Sequence, residues 1–236
     1  LNSNNTNNNR PECWYYGVCS NAGYKEDCRN GCIKYLEMKN LMETSGLPKS
    51  KQQLIKLYLS EDSPDIEAFK QLEDIRKDMW NFVNEGRNLY ICGTHVGNGK
   101  TSWAIKLLHR YFQEVWEGNA LKVRGKFVRV SDVLLKLKDF NSPMAKHEKQ
   151  ILYDCDLVVW DDIATGYMTN YDYMNIFDIL DYRQLAEKSN IFTSNIESRD
   201  DLAEKVSDKL ASRVWDTSTI IKLTGGSYRG QSTNNK

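Results

Sequence analysis

The sequence predicts an α/β fold, a parallel sheet flanked by helices, and three observations carry that prediction. Short apolar runs alternate with stretches of helical period. A glycine-rich segment lies between the first apolar run and the helical stretch after it. A later apolar run ends in two adjacent acids. Strand–helix alternation of this kind favours parallel strands with helices covering both faces.

The elements follow in order. Residues 1–10 (LNSNNTNNNR) are too polar to bury apolar surface and read as a disordered tail. The chain opens on Leu1 rather than Met, so an upstream piece is expected. Residues 11–43 carry a cysteine cluster and then a helical stretch, CIKYLEMKNLM. Residues 44–62, with Gly46 and Pro48, read as a linker, and 44–74 as linker plus helix. That helix is expected to be capped by Ser63, with Pro64 in its first turn and Asp65 and Glu67 at its positive end, and to run to Phe82. NLYICG (88–93) reads as a buried strand. The spacing of Trp103, Ala104, Leu107, Leu108, Tyr111, Phe112 and Val115 predicts a helix closing at Gly118. KFVRV (126–130) is a second strand, followed by a helix capped by Ser131. DLVVW (156–160) is a third, 171–188 is helical, and NIFTSN (190–195) is a fourth. Residues 200–212 are helical and TIIKL (219–223) is the last strand. The α/β domain is placed at 75–230, with a tail at 231–236.

Composition narrows the function classes. Lys plus Arg and Asp plus Glu both number 32, so formal net charge is zero. Bulk electrostatic capture of DNA needs a basic excess, so it is not expected as the main activity. No apolar run is long enough for a membrane helix and no secretory leader is visible, so a cytoplasmic protein without membrane contact is expected.

Gly93-Thr94-His95-Val96-Gly97-Asn98-Gly99-Lys100-Thr101 follows a strand and opens a helix, the context a phosphate-binding loop requires. Glycines let successive N–H groups turn towards phosphate oxygens, and the helix N-terminus adds its positive end. Gly97, Asn98, Gly99, Lys100, Thr101 and Ser102 are therefore the expected ATP-binding residues. Lys100 would reach the β- and γ-phosphates, and Thr101 would offer a hydroxyl to Mg2+. The strict pattern has glycine where Thr94 stands, and Gly93 comes one residue early. The competing reading, a glycine-rich turn that binds nothing, loses ground because downstream residues agree.

Leu157-Val158-Val159-Trp160-Asp161-Asp162 places two carboxylates at the C-terminal edge of the sheet, where ligands sit in open α/β sheets. Asp161 is expected to hold a magnesium-bound water. Asp162 is expected to orient or activate the water attacking the γ-phosphate. Alone, this segment would read as a strand ending in a polar turn. Thr193-Ser194-Asn195 ends the fourth strand nearby, and Asn195 is a candidate for positioning that water, with capping as the competing role.

GNGKTSWA, the strand ending in two acids, TSN and a terminal SRV…GGSYRG together resemble the AAA+ ATPases of the DnaC/DnaI type, loaders of the replicative DNA helicase in bacteria and phages. The likeness covers roughly 75–230. It implies a P-loop AAA+ domain with no separate helical lid. It implies that Arg213, in SRV, reaches a neighbouring subunit's site and stabilises charge on the γ-phosphate, and that Arg229, in SYRG, senses nucleotide within its own subunit. Arg183 also fits a family position, without an assigned role. Self-association through the ATP sites follows from the role of Arg213.

Cys13, Cys19, Cys28 and Cys32 have the spacing C-x5-C-x8-C-x3-C. Four thiolates suit tetrahedral Zn2+ in a reducing compartment, with an iron–sulfur cluster or a disulfide pair as alternatives. Metal would supply folding energy to so short a segment. The family resemblance implies that this small N-terminal zinc-binding module docks on the hexameric helicase. Trp14, Tyr15 and Tyr16 would be docking anchors or would pack around the metal. Cys92 and Cys155 read as packing residues. Single-stranded DNA is a further expected partner, near Lys136 and Lys138, although a lysine-rich helix face is commonly just solvated.

The preferred reading is an ATP-dependent helicase loader. A transposition helper ATPase that binds duplex DNA and a transposase is the rival within the fold. A small-molecule P-loop kinase and a non-hydrolysing adaptor are the rivals from other classes.

Overall fold

The computed structural model describes residues 13–15, 19, 31–55, 57, 63–115, 122–139, 142–164, 166 and 168–227. Five strands form one parallel sheet: β1 (Asn88–Cys92), β2 (Gly125–Arg129), β3 (Leu157–Asp161), β4 (Ser189–Ser194) and β5 (Ser218–Lys222). Their order is β2-β3-β4-β1-β5. Every residue of β3 and β4 is buried, the continuous burial that a parallel sheet covered on both faces imposes.

Alternation along each strand sends side chains to two apolar layers. Leu89, Ile91, Val159 and Ile191 face α1 (Ile33–Thr44), α2 (Ile66–Lys77), α3 (Met79–Asn84) and α4 (Lys100–Glu114). Tyr90, Val158, Trp160 and Phe192 face α5 (Val130–Leu137), α6 (Pro143–Asp154), α7 (Asn170–Leu185), α8 (Arg199–Val206) and α9 (Asp208–Ala211). Each fully buried side chain of this size contributes about 1.5–3 kcal/mol through loss of apolar surface to water. Among the described residues, no helix is long and apolar enough to cross a membrane.

Several boundaries differ from the sequence reading. The helix expected over 63–82 is two helices meeting at Asp78, and it begins at Ile66. Ser63 is not its cap: the Ser63 hydroxyl accepts from the Asp65 N–H before the helix starts. Asp65 holds the N-terminal flanking position of α2, but its side chain makes no capping bond. Its carboxylate, almost fully buried, accepts from Thr224 N, Thr224 Oγ1 and Gly225 N at 2.6–3.1 Å, tying the start of α2 to the exit of β5. Ser131 lies inside α5 rather than at its cap, with Arg129 in the flanking position. The reading overlooked α6, which Ser142 caps through Met144 N with Pro143 in the first turn. The expected end at Gly118 lies outside the described residues. Residues 200–212 resolve into α8, α9 and a π-helical turn at Ser212–Asp216.

The N-terminal segment packs into the same core as the sheet. Cys13, Trp14, Tyr15, Met38, Leu41, Met42 and Leu47 are buried in the layer that holds α4. Trp14 Nε1 donates to Gln52 O at 2.6 Å, and Gln113 Nε2 of α4 donates to Trp14 O. At the sheet edge, Phe127 N of β2 donates to Ser45 O at 2.7 Å.

Candidate nucleotide site

The site lies at the C-terminal ends of β1, β3 and β4. β1 delivers the glycine-rich loop and α4 carries the chain away from it. Gly97 (φ 85°) and Gly99 (φ 101°) take the left-handed conformations such a loop needs, conformations that side chains resist. The early glycine has its own reason. A Cβ on Gly93 would stand 2.1 Å from Leu223 O and 2.5 Å from Asn98 Nδ2, so the loop's first residue presses on the exit of β5. Asn98 makes that contact directional. Its Nδ2 donates to Leu223 O at 3.0 Å while its Oδ1 accepts from Lys100 Nζ at 3.0 Å.

Lys100 is buried and its Nζ also donates to Gly93 O at 2.6 Å and His95 O at 3.1 Å. Burial draws its amine below the usual lysine range, opposed by the charges of Asp162, Glu197 and Asp161. One turn into the site, Thr101 Oγ1 donates to Asp161 Oδ1 at 2.8 Å, and Thr193 Oγ1 of β4 donates to the same oxygen at 2.8 Å. Loop, acidic strand and polar strand end thus meet at one carboxylate oxygen. Burial pushes the Asp161 carboxyl up, the two hydroxyls pull it down, and the Asp162 charge raises it.

Asp162 sits just past β3 with φ 57° and an exposed side chain; its N–H donates to Thr193 Oγ1 at 3.0 Å. Ser102 follows Thr101 in the first turn of α4. Asn195 lies one residue beyond β4 and is half-buried. Of the residues at the end of β4, the one whose side chain bonds Asp161 is Thr193, which the sequence reading passed over in favour of Asn195. Thr193 could have been found by register: it pairs with Ile91 of β1, the residue before the last in the strand that launches the loop.

Arg213 stands in the π-helical turn. Its guanidinium grips Asp181 of α7, with Nε at 2.9 Å, and lies over the Phe177 ring. Arg229 lies outside the described residues. Arg183 acquires a role: it is fully buried and donates to Leu152 O, Cys155 O, Ser189 O and Asn190 Oδ1 at 2.6–2.9 Å, bracing α6, α7 and β4. Lys136 pairs with Glu148 at 3.2 Å, while Lys138 is exposed.

The residues fit a magnesium nucleotide. Thr101 and Asp161 already form the hydroxyl–carboxylate pair of hard oxygens, and positive-φ glycines shape the loop beside them. Those two would hold Mg2+, whose charge would neutralise the phosphates. For zinc the described residues give no such fit. Cys13 is buried, Cys19 and Cys32 are half-buried, and Cys28 lies outside the described residues. Among the described residues no group of three or more His, Cys, Asp or Glu could hold a metal ion. Cys92 and Cys155 are buried, as packing residues should be.

A family model described as IstB-like ATP binding protein matches residues 35–236. The chain belongs to this family. It is therefore an ATP-binding P-loop protein, with the α/β fold that the motifs predicted. Among solved structures, the IstB-like chain is similar to the DnaC helicase loader at 19% identity and a TM-score of 0.60, covering 78% of this chain and 98% of that one. It is similar to DnaI at 20% identity and a TM-score of 0.60, over 80% and 99% of the two chains. It also resembles AMPPCP-bound DnaA from Aquifex aeolicus at 18% identity and a TM-score of 0.56, over 71% and 48%. At these identities the likeness establishes the shared fold. No curated protein matches the sequence significantly.

Proposed function

We propose that this IstB-like chain is an ATPase that loads the replicative DNA helicase, acting in the cytoplasm through ATP sites shared between subunits. The observation that carries the loader reading is the extent of the fold match. It spans nearly the whole of the matched DnaC and DnaI chains and about four-fifths of this one.

Hydrolysis is proposed from the meeting of Thr101, Asp161 and Thr193. Lys100 would leave its loop carbonyls to take the phosphates' charge, and Gly97 to Ser102 would offer N–H groups. Asp162, exposed at the strand end, would orient the attacking water, with Asn195 alongside. Arg213 would release Asp181 to reach a neighbouring subunit, and Arg229 would sense nucleotide in its own. Lys100→Ala and Asp162→Asn are each expected to abolish ATP turnover. Turnover that survives in both would remove the hydrolytic assignment.

Zinc at Cys13, Cys19, Cys28 and Cys32 belongs to the same proposal, as do docking of residues 11–43 on the helicase and contact with single-stranded DNA. The decisive test is native mass measurement of the full chain mixed with the hexameric helicase, with and without ATP, beside Cys28→Ser and with zinc quantified. A complex that Cys28→Ser loses supports loading and places docking in the cysteine module. No complex in any nucleotide state moves a second reading to first place: a transposition helper that binds duplex DNA and a transposase, which also fits the IstB-like family.

A further inference from the structure

The phosphate loop already carries an anion of the chain's own. Glu197, in the short link between β4 and α8, accepts from the Thr94 N–H through Oε1 at 2.7 Å. The loop is built to gather anionic oxygens, and this carboxylate stands among the charges that act on the Lys100 amine. A triphosphate entering the loop brings several negative charges beside it. Like charges brought close oppose each other, and because Thr94 is exposed and Glu197 half-buried, that repulsion is moderated by water and salt.

We propose that Glu197 is an affinity-setting gate of the nucleotide site, a carboxylate that holds the loop at Thr94 and is driven off it when a nucleoside triphosphate binds. The proposal rests on the ATP-site reading above and names a regulator of that site. Its placement gives the displacement somewhere to go. Two residues on, the Arg199 guanidinium holds Asp208 of α9 at 2.8 Å and Asp216 of the π-helical turn at 2.9 Å. That turn carries Arg213. Three residues before the gate, Ser194 closes β4, next to Thr193 on Asp161. Glu197 thus sits on the covalent path between the magnesium carboxylate's partner and the turn that aims Arg213. Nucleotide occupancy would be reported along that path by a shift of about five residues of backbone.

A purely structural role makes the opposite prediction. If Glu197 merely fastened the loop in a binding-ready shape, removing it would weaken nucleotide binding. Glu197→Gln separates the two, because the amide keeps an acceptor oxygen for Thr94 N and removes the charge alone.

The experiment measures equilibrium binding of ATP, ADP and AMP with magnesium to the full chain, as wild type, Glu197→Gln and Glu197→Ala. Amide hydrogen exchange over residues 194–199 is followed in parallel. The gate predicts that Glu197→Gln binds ATP about five- to tenfold more tightly than wild type. The gain should shrink as phosphates are removed and as salt rises. It also predicts that ATP accelerates exchange over 194–199 in wild type. Unchanged or weaker ATP binding by Glu197→Gln, with wild type binding normally, overturns the gate and leaves the ATP site standing. Nucleotide binding by neither protein overturns both. Should Glu197→Ala fail to fold, the glutamine variant and the wild-type exchange response still decide.

Discussion

Thr193 spends its hydroxyl twice, donating to Asp161 Oδ1 and accepting from Asp162 N, so it fixes the direction of both acids at the end of β3. Thr193→Val keeps the shape and removes both bonds. ATP affinity should stay within about threefold, while the turnover number falls about tenfold or more, a loss of roughly 1.4 kcal/mol of transition-state stabilisation. Steady-state kinetics beside a binding titration separate the two. Arg183 belongs to stability instead. Arg183→Met would take a buried donor from Leu152 O, Cys155 O, Ser189 O and Asn190 Oδ1, the last of which keeps Trp160 Nε1, and chemical denaturation should show a loss of about 3–5 kcal/mol. His109 of α4 is buried, and burial, opposed by a hydrogen bond with the Lys51 backbone, pulls its imidazole down to about 4. The unfolded imidazole takes its proton near pH 6.5 and the folded one only near 4. Its contribution is therefore whole above pH 6.5 and is lost progressively as pH falls towards 4, by up to about 3 kcal/mol. Denaturation midpoints measured across pH 4–6.5 should slope for wild type and flatten for His109→Leu.

The elements around the site were readable to different degrees. β1, β3 and β4 are apolar runs of strand length, and the loop and paired acids mark their ends, so the strand ends that form the candidate site were legible. Three things were not. α6 follows α5 so closely that one helical stretch seemed enough, although Ser142-Pro143 is a start signal. Ser63 looked like a cap because local sequence cannot reveal that Asp65 is spent on Thr224 and Gly225, over 150 residues away. Neither did periodicity disclose the π-helical turn, since a single extra residue hides within a helical pattern. Gly93 shows the reverse, a departure from the motif that packing explains. Gly93→Ala should push β5's exit away from the loop. Nucleotide binding should fall at least tenfold, read by titration, with a smaller loss of thermal stability because the clash is local.

On the scale of the whole molecule, the N-terminal segment and the sheet share one core. Trp14 lies against Tyr35, ring centres 4.9 Å apart and planes tilted by 32°, and is hydrogen-bonded through Nε1 and O. Trp14→Ala should therefore lower the melting temperature of the entire chain in a single transition, by about 3–5 kcal/mol in stability, rather than loosen the first forty residues alone. Calorimetry that resolved two transitions would argue against a shared core. The same segment has a consequence for the sheet's outer rim. By taking up the Phe127 N–H, Ser45 blocks a strand edge that would otherwise be open to any extended chain. A fragment starting after Ser45 would keep its loop and acids yet expose that edge, and its failure in solution would be strand-to-strand aggregation before any loss of fold.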